Sequence, residues 1–184
     1  MALFTWIFAA TVMISPTNAS EADQVKSENT EKQDEVKIIQ FTPPAGWRFA
    51  DTKSQKHVHT MVVGKGQREL PPSITLGTDR SPGTLKEYLK RIKGISESKG
   101  GDWKDLGNIL TDAGEARLVQ EDMKTQWGEL RIMYVILLKN GTAYILTAAA
   151  LKEEFAKFYP EFFRSMRSLR ITDEGAAQAE LTGN

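Results

Sequence analysis

The sequence predicts an α+β fold, an antiparallel β-sheet covered by helices as an α/β/α sandwich, and three observations lead there. Strand-type segments follow one another from Leu106 to Ala150. Within them, Lys139-Asn140-Gly141-Thr142 reads as a tight hairpin turn, because Asn and Gly accept the positive φ angles of a type I′ turn. Two stretches with helical apolar spacing, one in mid-chain and one near the end, supply the cover.

From the N-terminus, residues 1–19 (MALFTWIFAATVMISPTNA) join an uncharged apolar run over 2–14 to Pro16 and the small group Thr17-Asn18-Ala19. This is the pattern of a secretory signal peptide, with the terminal amine as its only positive end. The apolar run is shorter than the roughly 20 residues that span a bilayer. A cleaved leader is therefore expected, with no stable membrane insertion afterwards and a mature protein that is periplasmic or secreted. With no cysteine in the chain, a disulfide framework and a thioether lipid anchor are both excluded. Residues 20–36 hold six acids, two lysines and no apolar period, which predicts a disordered acidic linker. Residues 172–184 read as a similar tail. The whole chain is neutral, yet the expected domain over 37–171 keeps 22 basic and 15 acidic residues. Such a surplus suits an anionic partner, but more often it serves solubility.

KIIQFT at 37–42 opens the domain as a strand that Pro43-Pro44 closes, with Gly46-Trp47 after it. Trp47 is expected to cap the core. VHTMVVG and SITLGT follow as strands, with Gly64-Lys65-Gly66 as a turn between them. At 84–98 the period changes: Leu85, Tyr88, Leu89, Ile92 and Ile95 take helical spacing, and Thr84 with Glu87 forms a capping box. Lys86, Lys90 and Lys93 form a strip on this helix, with Glu97 one turn beyond Lys93 as its pairing partner. The meander comes next as GNILTDAG, EARLVQED and the hairpin. The hairpin's first strand is apolar on both faces, from Leu130, Ile132, Tyr134, Ile136 and Leu138 against Met133, Val135 and Leu137, so it is expected to be central and sealed on both sides. Leu151, Phe155, Phe158, Tyr159, Phe162, Met166 and Leu169 keep one helical phase through Pro160, which predicts a single kinked helix with Phe163 at the edge of its stripe.

Pro44-Ala45-Gly46-Trp47 after a strand, Thr84-Leu85-Lys86-Glu87-Tyr88-Leu89 opening the middle helix, Tyr144-Ile145-Leu146-Thr147-Ala148 in the hairpin and Ser165-Met166-Arg167-Ser168-Leu169 at the end are similar to PsbP-like proteins. That superfamily includes the photosystem II extrinsic subunit PsbP, DcrB-like envelope proteins and the Ran-binding import factor. The resemblance covers about 37–171. It implies a sheet between helices that serves as a non-enzymatic binding or assembly module, and it carries over no site residues.

The search for chemistry returns little. No G-x-S-x-G nucleophile elbow and no phosphate loop occur. The acid pairs Glu121-Asp122 and Glu153-Glu154 are expected to be solvated charge. His57 and His59, the only histidines, would share one strand face with Met61. Two imidazoles and a thioether suit copper or zinc but make a partial site, whereas Val58, Thr60 and Val62 on the other face allow the histidines to point outward without metal. Trp103, Trp127 and Phe163, in loops or at a stripe edge, are candidate contacts for a protein partner. The expectation is an exported, non-catalytic binding or accessory protein of the cell envelope, with a protein partner, no cofactor and no nucleic acid. The alternative is a metal-binding protein or metal-dependent enzyme that uses His57 and His59.

Overall fold

The computed structural model describes residues 37–66 and 70–173. In chain order these form β1 (Lys37–Gln40), β2 (Arg48–Phe49), β3 (Val58–Val63), β4 (Ser73–Arg80), α1 (Leu85–Ser98), β5 (Asp102–Thr111), β6 (Gly114–Thr125), β7 (Gly128–Lys139), β8 (Thr142–Leu151), α2 (Lys152–Arg167) and β9 (Arg170–Asp173). The expected signal peptide and linker, and all but the first two residues of the expected tail, lie outside the described residues.

The β7–β8 hairpin forms where the turn signal sits: Asn140 has φ 51° and Gly141 φ 73°, and Lys139 pairs with Thr142 across the turn. Around it a seven-stranded sheet runs in the order β2-β3-β4-β8-β7-β6-β5, antiparallel at every junction. The hairpin is central, as its two apolar faces require, and one helix lies on each side. On one face Val135, Leu137, Tyr144, Leu146 and Ala148 join Phe155, Phe162 and Met166 of α2. On the other, Ile136, Ala143 and Ile145 meet Tyr88 and Ile92 of α1.

α1 starts at its capping box, where the Glu87 amide donates to Thr84 Oγ1 (3.3 Å) and the Thr84 amide donates to Glu87 Oε2 (2.8 Å). α2 passes through Pro160 as one helix; the exposed proline forfeits a single donor while the aromatic stripe stays in phase. Trp47 caps this layer, its ring meeting Phe158 at 6.2 Å and Phe162 at 5.8 Å edge to face. Gly64 makes the approach possible, because any side chain there would collide with the Trp47 ring.

Four boundaries differ from the sequence expectation. β1 stands apart from the main sheet and pairs with β9, Ile39 opposite Ile171, so strand structure continues past 171 into the polar Thr172-Asp173. β5 begins at Asp102, ahead of Leu106, because a register shift between Asp105 and Gly107 breaks its alternation and turns Leu106 outward. Leu151 ends β8 instead of opening the helix, and α2 begins without a side-chain cap. β2 contributes only Arg48 and Phe49.

Phe162 is completely buried, with Phe155 at 5.1 Å and Phe158 at 6.1 Å. Phe162→Ala should therefore cost about 3–5 kcal/mol, read as a lower urea midpoint at unchanged slope. A loss below about 1 kcal/mol would mean that the α2 layer is not the tight one.

Candidate functional site

The two faces of the sheet are filled unequally. Towards α2, β4 and β8 present Ile74, Leu76, Leu146 and Ala148, all fully buried. Towards α1 the same strands present Ser73 opposite Ala149, Thr75 opposite Thr147 and Gly77 opposite Ile145. Small side chains leave volume there, and α1 reaches it only with Tyr88 and Ile92. The outcome is a cavity of ≈ 190 Å³. Met61, Ile136 and Ile145 complete its floor, Tyr88, Ile92 and Tyr134 form one wall, and Leu70 and Pro71 form the other. Gln55, His57 and Thr78 mark its exposed edge. The hairpin is buried on both faces as expected, but on the α1 face the packing leaves this hollow beside it. An apolar cavity of about 150 Å³ is enough to admit a benzene ring.

The wall carries polar groups of unequal freedom. The Tyr134 hydroxyl donates to Glu121 Oε2 (2.7 Å), and Ser96 Oγ donates to Glu121 Oε1. Trp103 stacks on the Tyr134 ring at 5.8 Å. Burial, and then the Glu121 charge and hydrogen bond, push the Tyr134 phenol well above its ordinary range. Tyr88 is also buried, and burial is the main cause that raises its phenol, with the Asp79 charge adding to it. Arg91 sits over its ring at 4.9 Å and binds Asp79 (3.0 Å). Although both charged groups stand close, the Tyr88 hydroxyl makes no hydrogen bond.

Of the acid pairs, Glu153 is exposed as expected and the other three acids are not. Glu121 and Asp122 lie inside β6, 1% and 7% exposed. They face opposite sides, and Asp122 takes two bonds from Arg131 (2.7 Å each) and an ion pair from Lys152 (3.2 Å). The Arg131 bonds, ahead of Lys152, hold the Asp122 carboxyl below its usual range. Glu154 is buried as well, with Oε2 lacking a partner. On α1, Lys93 and Glu97 pair at 3.6 Å as their spacing predicts.

The histidines do not share one face. His57 has φ 71°, precedes β3, and its carbonyl accepts from the Thr78 amide (3.1 Å). A register shift between Val58 and Thr60 then reorients His59, whose Nε2 lies 2.8 Å from Thr78 Oγ1. His57 and Met61 line the cavity and His59 does not. Partial burial, and secondarily His57, lowers the His59 pKa. Among the described residues no three His, Cys, Asp or Glu side chains gather as a metal would require.

Of the aromatic candidates, Trp103 lies in β5 and packs half-buried on the α1-face core. Trp127 is half-buried in the β6–β7 turn, its amide donating to Thr125 Oγ1 (3.1 Å). Phe163 stacks on Tyr159 at 5.8 Å beside Leu110 and Arg167, in a shallow groove between α2 and the β5–β6 turn. Leu110 and Tyr159 are 67% and 45% exposed. The cavity itself gave no sequence signal, since Ser, Thr, Gly and Ala alternating with Ile and Leu look like any half-buried strand.

No family model and no curated protein matches the chain. Solved structures do. LpqN of Mycobacterium tuberculosis, described as involved in cell envelope biogenesis, superposes with a TM-score of 0.57 at 15% identity, over 77% of this chain and 87% of that one. The cyanobacterial PsbP of Synechocystis gives 0.52 at 10% identity over 79% and 98%. PA94 of Pseudomonas aeruginosa, a protein of unknown function, gives 0.50 at 15% over 77% and 86%. The chain has the PsbP-like fold.

Two acid-side losses of stability are expected in separate windows. His59 titrates below its ordinary 6.5 in the folded chain, so the unfolded chain takes that proton more readily. Its contribution is whole above about pH 6.5 and declines as the pH falls through that value. Asp122 titrates below its ordinary 3.8, so its contribution is whole above about pH 4 and is lost on descending through its folded value. Urea midpoints followed downwards from about pH 8 should drop in two steps, with His59→Gln flattening the upper and Asp122→Asn the lower. Persistence of the upper step in His59→Gln would refute the assignment.

Proposed function

We propose that this PsbP-like chain is an exported, non-catalytic binding or accessory protein of the cell envelope. One observation carries the reading: a cavity of ≈ 190 Å³ between α1 and the sheet, lined mainly by hydrocarbon and hydroxyl groups. Such a lining recognises a molecule by shape and apolar contact. The leader-like residues 1–19 support export, and the envelope role described for LpqN, which shares the fold, agrees with that compartment.

A second surface is favoured by exposed Leu110 and Tyr159, which lie with half-buried Phe163 beside Arg164 and Arg167. Aromatic and arginine side chains are the commonest anchors of protein interfaces. A protein partner in the envelope docks there in this reading.

Benzene added to the full-length chain should shift the amide resonances of Thr75, Ile145 and Thr147 and raise the melting temperature as bound ligand stabilises the folded state. Shifts scattered elsewhere, or none, would remove the cavity as a binding site. When expressed in its own cell and recovered from the envelope fraction, the chain should begin at Ser20, and recovery from the cytoplasm with residues 1–19 intact would contradict export.

A further inference from the structure

The shape and surroundings of the cavity define what it holds more narrowly. Its size lies just above the roughly 150 Å³ that takes a benzene ring and below the roughly 300 Å³ at which drug-sized pockets begin. One substituted ring, or an alkyl chain of similar volume, fits; a long acyl chain does not. The floor is apolar at Met61, Ile136 and Ile145, where Ser73 faces Ala149 and Thr75 and Thr147 face each other across β4 and β8. The deep end therefore accepts hydrocarbon.

The rim has a different character. His57 adopts a left-handed backbone at φ 71°, a conformation that non-glycine residues take at a cost and that concentrates at ligand clamps. The Thr78 amide holds its carbonyl at 3.1 Å, which fixes the residue at the edge of the cavity. Exposed Lys56 adjoins His57 in the chain, and exposed Lys53 lies on the same β2–β3 loop. Against them stand Asp51, whose carboxylate accepts from the Lys53 amide (2.9 Å), and Asp79, which is paired with Arg91. Within the β2–β3 loop the two lysines outnumber the one acid.

We infer that the cavity binds a small amphiphilic monoanion, a carboxylate carrying one ring or a short alkyl chain, with its apolar body on the β4–β8 floor and its carboxylate at the His57 rim. This rests on the cavity being a binding site, and the test separates the two. The full-length chain is titrated calorimetrically with butyrate, hexanoate, octanoate and palmitate, with phenylpropionate, and with 1-octanol as the uncharged match. Affinity should rise about fourfold per added methylene until the cavity is full, then level off before palmitate. Octanoate should exceed octanol by up to about fivefold, the ceiling for an exposed ion pair.

His57→Asn, which tolerates the left-handed backbone, should abolish the octanoate advantage and leave octanol unchanged. Thr147→Leu should remove both, and Thr75→Leu serves if that variant does not fold. If octanol binds in the cavity and octanoate gains nothing over it, the anion is wrong and the binding site stands. Affinity that keeps climbing to palmitate would make the occupant a lipid tail and overturn the size argument. If no ligand binds, or if binding survives both filling variants, the inference and the binding site fall together.

Discussion

Both faces of the β7–β8 hairpin are apolar, and that requirement for two covers shapes everything else in the molecule. A strand with hydrocarbon on alternate sides cannot sit at the edge of a sheet or against water, so β4 and β6 flank the hairpin and a helix closes each face. The covers differ in what they bring. α2 lays down Phe155, Phe162 and Met166 against Ile74, Leu76, Leu146 and Ala148, with Trp47 sealing the end. α1 brings Tyr88 and Ile92 to a face on which β4 and β8 carry Ser73, Thr75, Gly77, Thr147 and Ala149. The cavity is thus a consequence of side-chain size on two strands, built into the sheet itself and independent of any mobile cleft.

Adjacent acids tie each cover down. Because successive residues of a strand face opposite sides, Glu121 turns to α1 and Asp122 to α2. Glu121 binds Ser96 near the end of α1 and the Tyr134 hydroxyl, and Gly101 leaves room for the contact, since a side chain there would strike both Glu121 and Ser96. Asp122 reaches Lys152 in the first turn of α2 as well as Arg131. A buried carboxylate without such partners would be strongly destabilising; with them, each one fixes a helix to the same short stretch of β6. The cavity wall formed by Tyr134 is held by this arrangement, with Trp103 stacked behind it.

Local physics that acts through neighbours in sequence was legible beforehand. The Asn140-Gly141 turn, the Thr84–Glu87 capping box, the aromatic phase of α2 and the Lys93–Glu97 pair all follow from spacing of a few residues. The features that escaped depend on contacts across the fold. Polar Thr172-Asp173 became strand because Lys37 and Ile38 lie opposite them. Glu121 and Asp122 looked solvated because their partners are contributed by α1, β7 and α2. The alternation rule that grouped His57, His59 and Met61 failed at a bulge, which inserts a residue and turns the faces over. The cavity was invisible for a plainer reason: it is made by what Ser, Thr, Gly and Ala do not fill.

The cavity and the Leu110–Tyr159–Phe163 surface belong to opposite faces of one sheet, the first under α1 and the second along the outer side of α2. Neither shares a lining residue with the other, so an occupant of one leaves the other open. Between them lies the tightly packed α2 layer, where Ile74, Leu76, Leu146 and Ala148 have no room to shift. A floor of that kind cannot deform to suit a ligand. Adaptation, where it occurs, falls to the rim, where the two-residue β2 and the β2–β3 loop carry His57 and Gln55 at the edge of the sheet. Selectivity for the apolar body therefore resides in a rigid volume, and selectivity for the head group resides in the loops around it.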